Sequence, residues 1–185
     1  MKRPINTDVR PREHLTPAEV EELAAAAKKR GRYGHRDATA IRLAARHGLR
    51  VSELCALTWD QVQGGFLHVT RLKGGMPSTH PLKGDEMRAL KQVRREQKDT
   101  RERFVFVNER GVPLSPAGFA RMMSRAALLT SIRFPVHPHM LRHAAGYKLA
   151  NENRDTRSIQ HWLGHQNITH TVRYTALNAN AFKGW

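Results

Sequence analysis

The segment His137-Pro138-His139-Met140-Leu141-Arg142-His143 sets imidazole and guanidinium groups at helical spacing. On a helix, residues 139 and 142 share a face, as do 139 and 143. A histidine beside an arginine is equipped to serve a phosphate, because the guanidinium forks onto non-bridging oxygens while the imidazole moves a proton. Standing alone, such a pair reads as the solvated basic end of a helix. Downstream, Leu163-Gly164-His165 puts a histidine just past a helix stop, and Thr171-Val172-Arg173-Tyr174 follows. A tyrosine hydroxyl has a pKa of about 10 and needs neighbouring cations or a base before it attacks anything at neutral pH. Without that help Tyr174 is an aromatic closing a C-terminal helix. Upstream stand Arg50, in Gly48-Leu49-Arg50-Val51-Ser52-Glu53-Leu54, and Lys73, in Arg71-Leu72-Lys73-Gly74-Gly75. Their bland readings are a capping arginine and a solvated hairpin lysine.

These residues need elements to hold them. Thr16, Pro17 and Glu19 predict a capped helix start, with Leu15 stapled onto Val20 and the helix running to about Lys29. A second helix is expected from Asp37 to His47, burying Ala40, Ile41, Ala44 and Ala45 and stopped by Gly48. Leu49–Val51 bridges to a short helix opening at Ser52, so Arg50 falls at a junction between two helices. Gly64-Gly65 and Gly74-Gly75 bracket a strand over 66–71, and a partner over 78–82 would place Lys73 at the hairpin tip. Helical signals resume over 85–97. Phe104–Val107 reads as buried extended chain. Ser115-Pro116 and Pro138 open further helices, Asp155 or Thr156 caps the next and Gly164 ends it. Asn167 or Thr169 caps the last, through Tyr174. The expected fold class is α+β, mainly helical, with a small antiparallel three-stranded sheet.

Charge narrows the partners. Among 185 residues, 32 are Lys or Arg and 16 are Asp or Glu, a formal charge of +16. Such an excess repels itself unless a polyanion sits against it. The hydrophobic share of 39% is too high for a disordered basic tail, so the chain is a folded basic protein. Its longest apolar run, Leu23–Ala27, falls far short of the about 20 residues that span a bilayer. The lone Cys55 cannot form an internal disulfide. A cytoplasmic, nucleoid-associated protein without a membrane partner is the expectation.

Arg, then a hairpin Lys, then His-x-x-Arg, then Leu-Gly-His, then Tyr closely resembles the tyrosine recombinase (phage integrase) family, over about residues 15–180. The positions that match its motif are Arg50, Lys73, His139, Arg142, His165 and Tyr174. The stretches HPHMLRHAAGY and DTRSIQHWLGHQNITHTVRYTALNA look most like the fimbrial phase-switch DNA inverters. Residues 1–14, with Pro4 and Pro11 among charges, read as a flexible basic arm, and the resemblance implies a catalytic domain over 15–185, without a separate N-terminal core-binding domain. It implies attack by Tyr174 on a duplex DNA phosphodiester, giving a 3′-phosphotyrosine and a free 5′-hydroxyl. Arg50 and Arg142 would hold the non-bridging oxygens, Lys73 would protonate the leaving oxygen, His139 would accept the tyrosine proton and His165 would hydrogen-bond the phosphate. Double-stranded DNA is the implied partner, acted on by a homo-tetramer on paired sites (monomer or dimer when free), with an accessory DNA-bending protein as a further partner. Phe182 and Trp185 are candidate anchors for a C-terminal segment passed between neighbours.

Three other readings compete. His139/His143 and His161/His165 have a spacing zinc can use, but no Glu follows His139 as in a metalloprotease helix and no Cys pair exists. No metal and no cofactor is the expectation. A type IB topoisomerase-like relaxing enzyme shares the chemistry, and a non-catalytic basic DNA-binding protein of the same fold shares the charge.

Overall fold

The computed structural model describes residues 12–71, 75–97 and 102–176. Helix α1 (Pro17–Lys28) starts on a complete capping box: Glu19 N–H donates to Thr16 Oγ1 at 3.2 Å, and Thr16 N–H to Glu19 Oε2 at 2.8 Å. Leu15 and Val20 are both buried beside it. Helix α2 (Gly34–His47) lies against α1 and begins a turn before the expected Asp37. Gly34 is the reason. A Cβ there would stand 2.0 Å from the Lys28 carbonyl oxygen, so this glycine opens α2 by letting it abut the end of α1. Gly48 closes α2 in the left-handed region at φ 60°, and Arg50 caps the short α3 (Val51–Cys55).

Three antiparallel strands follow in the order β1 (Val62–Gln63), β2 (Phe66–Val69), β3 (Ser78–Pro81). Gly64 and Gly65, both at positive φ, make the two-residue turn between β1 and β2. In β2, Leu67 and Val69 point into the core while Phe66 and His68 face out. The strand stops short of the expected residue 71, although Thr70 and Arg71 keep its alternation of exposed and buried side chains.

Helix α4 (Gly84–Glu96) leads to Phe104–Val107, where the expected extended chain is instead a bend at the buried Val105 and Phe106 between isolated bridges of Phe104 to Thr58 and Val107 to Pro113, and then to α5 (Pro116–Ala127), capped by Ser115. Helices α6 (Pro138–Asn151), α7 (Thr156–Leu163, capped by Asp155) and α8 (Thr169–Thr175) pack on one another. At α8 the Asn167 side chain accepts the Thr169 N–H at 2.9 Å. One large cluster of apolar side chains joins α1–α5, β2 and the first half of α6. A smaller one, Ala145, Ala150, Ile159, Leu163 and Tyr174, joins α6, α7 and α8. The mainly helical α+β class with its three-stranded antiparallel sheet is the architecture found. Among the described residues no helix is long and apolar enough to cross a membrane.

Candidate active site

Arg142 sits on α6 with 1% of its surface exposed. Its Nη1 donates to the Gly48 carbonyl at 2.5 Å and its Nη2 to the Leu163 carbonyl at 2.6 Å. Those acceptors are the C-terminal ends of α2 and α7, where unsatisfied carbonyls and the helix dipole favour a cation. No carboxylate among the described residues pairs with it. Burial, with Arg50 and Arg71 nearby, pulls its pKa down to about 9. Gly48 must be glycine twice over: its φ is +60°, and a Cβ would lie 2.4 Å from Leu163 Cδ2.

Arg50 approaches from the start of α3. Its N–H and Nη1 both bond Glu53, at 2.9 and 2.8 Å, and its side chain keeps 31% exposure. Glu53 itself is buried. Burial would raise its pKa, but the Arg50 N–H and the charges of Arg71 and Arg50 outweigh that and hold the carboxyl below its ordinary value. The capping-box spacing of Glu53 after Arg50 was the available sequence signal for this anchor.

Tyr174 is 3% exposed. Its hydroxyl lies 2.8 Å from His143 Nδ1, so the sequence-expected proton acceptor, His139, is not the residue bonded to it here. His139 is exposed and meets His143 edge to face, with ring centroids 4.5 Å apart. Tyr147 packs edge to face on Tyr174 at 5.1 Å, and the other face of the ring is fitted to Gly146, where a Cβ would come within 2.6 Å of the ring. Burial pushes the phenol pKa up to about 12 against the pull of Arg142 and Arg173. His165 lies nearly parallel to the Tyr174 ring at 6.4 Å, with its Nδ1 2.9 Å from Thr171 Oγ1, leaving Nε2 for a ligand. Burial and the neighbouring arginines hold His165 down to about 3, as burial and His139 hold His143 to about 3. Desolvation, Arg142 and His137 hold His139 down to about 4. All three imidazoles are therefore neutral at pH 7, each with one N–H donor and one acceptor nitrogen.

Arg50, His139, Arg142, His165 and Tyr174 thus come together from α3, α6, α7 and α8. Lys73 lies outside the described residues, as do Phe182 and Trp185, while its neighbours Arg71 and Gly75 pack against Gly164, next to His165. Of the expected arm, residues 12–14 are described and are docked on the domain. Arg12 bonds Glu19, Glu13 pairs with Arg173 beside the tyrosine, and His14 lies on Tyr147 at 4.1 Å. Glu53, His143, Gly146 and Arg71 shape the site and are not among the six expected residues. Among the described residues no group of three or more His, Cys, Asp or Glu gathers as a metal site would. A cavity of about 660 Å³ beside Tyr33, Arg36 and Val107 includes none of the six.

A family model described as "Phage integrase family" matches residues 13–181. The chain belongs to the phage integrase family. It is 41% identical over 179 residues to "Type 1 fimbriae regulatory protein FimE" of Escherichia coli (strain K12), covering 94% of this chain and 90% of that one. The crystal structure of XerA recombinase superposes with a TM-score of 0.76 at 28% identity, over 91% of this chain and 61% of that one. XerH site-specific recombinase bound to its difH substrate shares the fold, with a TM-score of 0.74 at 22% identity over 90% of this chain and 51% of that one. The chain therefore spans between half and two thirds of those solved recombinases. Within the phage integrase family it is a tyrosine site-specific recombinase, similar to the fimbrial regulators, and neither the topoisomerase-like nor the non-catalytic reading is favoured.

Proposed function

We propose that this recombinase binds duplex DNA and exchanges strands through a 3′-phosphotyrosine on Tyr174, inverting or moving a DNA segment. The convergence of two arginines on a buried tyrosine, with no carboxylate paired to Arg142, carries the reading. A site with that much uncompensated cation is suited to an anion, and +16 over the chain suits a polyanion.

Arg50 and Arg142 would clamp the non-bridging oxygens and stabilise charge on the pentavalent transition state. His165 Nε2 would add a hydrogen bond to the same phosphate. His143 Nδ1 lies 2.8 Å from the phenol oxygen and holds it inward. For attack the hydroxyl turns out toward the phosphate, and His139, open to solvent beside His143, takes its proton. The phenol oxygen bonds to phosphorus as the bond to the 5′-oxygen breaks, and Lys73 protonates that oxygen. The phosphoester is conserved, so a 5′-hydroxyl from a partner strand reverses the step without a nucleotide cofactor.

We also assign residues 1–14 as a basic arm adding phosphate contacts to a catalytic domain over 15–185. The working assembly is a homo-tetramer on paired sites in the cytoplasm, associated with the nucleoid and aided by a DNA-bending protein. Incubating wild type and Tyr174→Phe with nicked suicide duplexes from the flanking genome tests the core of this. Labelled DNA should become covalently attached in wild type only, while DNA affinity stays within about twofold, since the phosphate contacts that dominate it are retained. An adduct formed by Tyr174→Phe would remove Tyr174 from its role.

A further inference from the structure

Arg71 is a charged side chain with no exposed surface. Such burial is costly unless the charge is paired and its donors are engaged. Nη1 donates to Glu53 Oε2 at 2.8 Å, and Nη2 to Ser78 Oγ at 3.2 Å and to the Trp162 carbonyl at 2.5 Å. Nε has no hydrogen-bond partner among the described residues. Two glycines let backbone close around it: a Cβ on Gly164 would lie 2.5 Å from Nε, and one on Gly75 2.8 Å from Arg71 Cβ. Burial lowers its pKa and the Glu53 carboxylate counters this.

The partners of this side chain are the supports of the site. The Glu53 carboxylate that it grips by one oxygen holds Arg50 Nη1 by the other at 2.8 Å. Trp162 precedes Leu163, whose carbonyl binds Arg142, and Gly164-His165 follows directly. The C-terminal carbonyls of α7 therefore receive Arg71 and Arg142 side by side. With Arg71 in place, the Glu53 charge is shared between two guanidiniums. Without it, Arg50 alone would neutralise a buried carboxylate and be drawn inward, away from a phosphate.

We infer that Arg71 is a positioning residue for DNA cleavage: it shares Glu53 so that Arg50 stays available to the phosphate, and it fixes through Trp162 the turn that presents His165. The inference rests on the reading of Arg50 as a phosphate clamp. The test compares covalent cleavage by wild type, Arg50→Ala and Arg71→Met on the nicked duplex that wild type cleaves, with the scissile group either a phosphodiester or a methylphosphonate. The methylphosphonate is uncharged at the non-bridging positions and needs a cationic clamp less. Each variant should lose about 100-fold or more on the phosphodiester, by analogy with loss of one oxyanion donor, and about tenfold or less on the methylphosphonate. If Arg50→Ala recovers and Arg71→Met loses equally on both substrates, Arg71 only supports the fold and the inference is overturned. If Arg50→Ala does not recover, the clamp reading fails and this inference with it. Should Arg71→Met not fold, Arg71→Lys carries the same comparison: a loss that shrinks on the methylphosphonate supports positioning, and equal losses overturn it.

Discussion

The arginine side and the tyrosine side of the site are built differently. Arg50 and Glu53 stand on a helix end continuous with the large core, through Leu49 and Leu54, and Arg142, preceded by Met140 and Leu141, ties that core at Gly48 to the small cluster at Leu163. Tyr174 belongs to the small cluster, among five buried residues, and stands on a helix of seven residues. A helix that short has little stability of its own and holds its place by packing on α6 and α7 and by the bond to His143. Electrostatic stabilisation is worth most when its donors need no reorganisation, and the clamp has that character. A nucleophile facing inward must turn before it attacks, and a satellite cluster makes turning cheap. On the proposed assignment of roles, the clamp stands on the large core and the nucleophile on the small cluster.

Substitutions can break this contrast. Arg142→Ala should lower single-turnover cleavage by about a hundredfold to a thousandfold. It should also lower the melting temperature, because the Gly48 and Leu163 carbonyls lose their donor. Arg50→Ala should cost as much in cleavage with a smaller change in melting, since its side chain is partly exposed. Equal melting losses would erase the distinction between the two guanidiniums. On the tyrosine side, His139→Ala should slow cleavage by about a hundredfold, within the usual range for a general base. His143→Ala should slow it less, about tenfold or under, because that residue holds only the resting hydroxyl; the reverse order would reassign the base. Gly146→Ala puts a methyl into the Tyr174 ring. It should slow cleavage by up to about a hundredfold, as a misplacement near 1 Å does, with DNA affinity unchanged by filter binding.

The mildest test is pH. His80, His143 and His165 are each buried and held down to about 3, against about 6.5 unfolded. A group with a depressed folded pKa contributes stability above its unfolded value and loses it as pH falls toward the folded one. Melting should therefore be flat above pH 7 and drop by roughly 10 °C by pH 5.5, read by calorimetry. A melting temperature indifferent to pH over that range would mean these rings are not buried neutral.

Local chemistry was legible in the sequence, and distant coupling was not. Thr16, Gly48, Ser115, Asp155 and Gly164 announced helix ends because caps depend on a few adjacent residues. Gly34 misled for the same reason: a stop signal and a close helix approach both use glycine, and only the packed turn tells them apart. Arg50, His139, Arg142, His165 and Tyr174 were legible through their order along the chain. Arg71 was not, since two of its three acceptors lie 18 and 91 residues away and nothing in Arg71-Leu72-Lys73 marks an inward-pointing guanidinium. The bond from Tyr174 to His143 rather than to His139 was equally hidden, for both histidines lie on α6 and only the seat of α8 decides between them.

The most direct measurement is to locate the DNA on the protein. The covalent adduct formed by wild type on a suicide duplex would be digested with nuclease and trypsin and its peptides read by mass spectrometry. The three tyrosines, Tyr33, Tyr147 and Tyr174, fall in separate tryptic peptides. A nucleotide mass on the peptide from Tyr174 to Lys183, joined through its 3′-phosphate, is the result this account requires. The same mass on the peptide carrying Tyr147 or Tyr33 would contradict it.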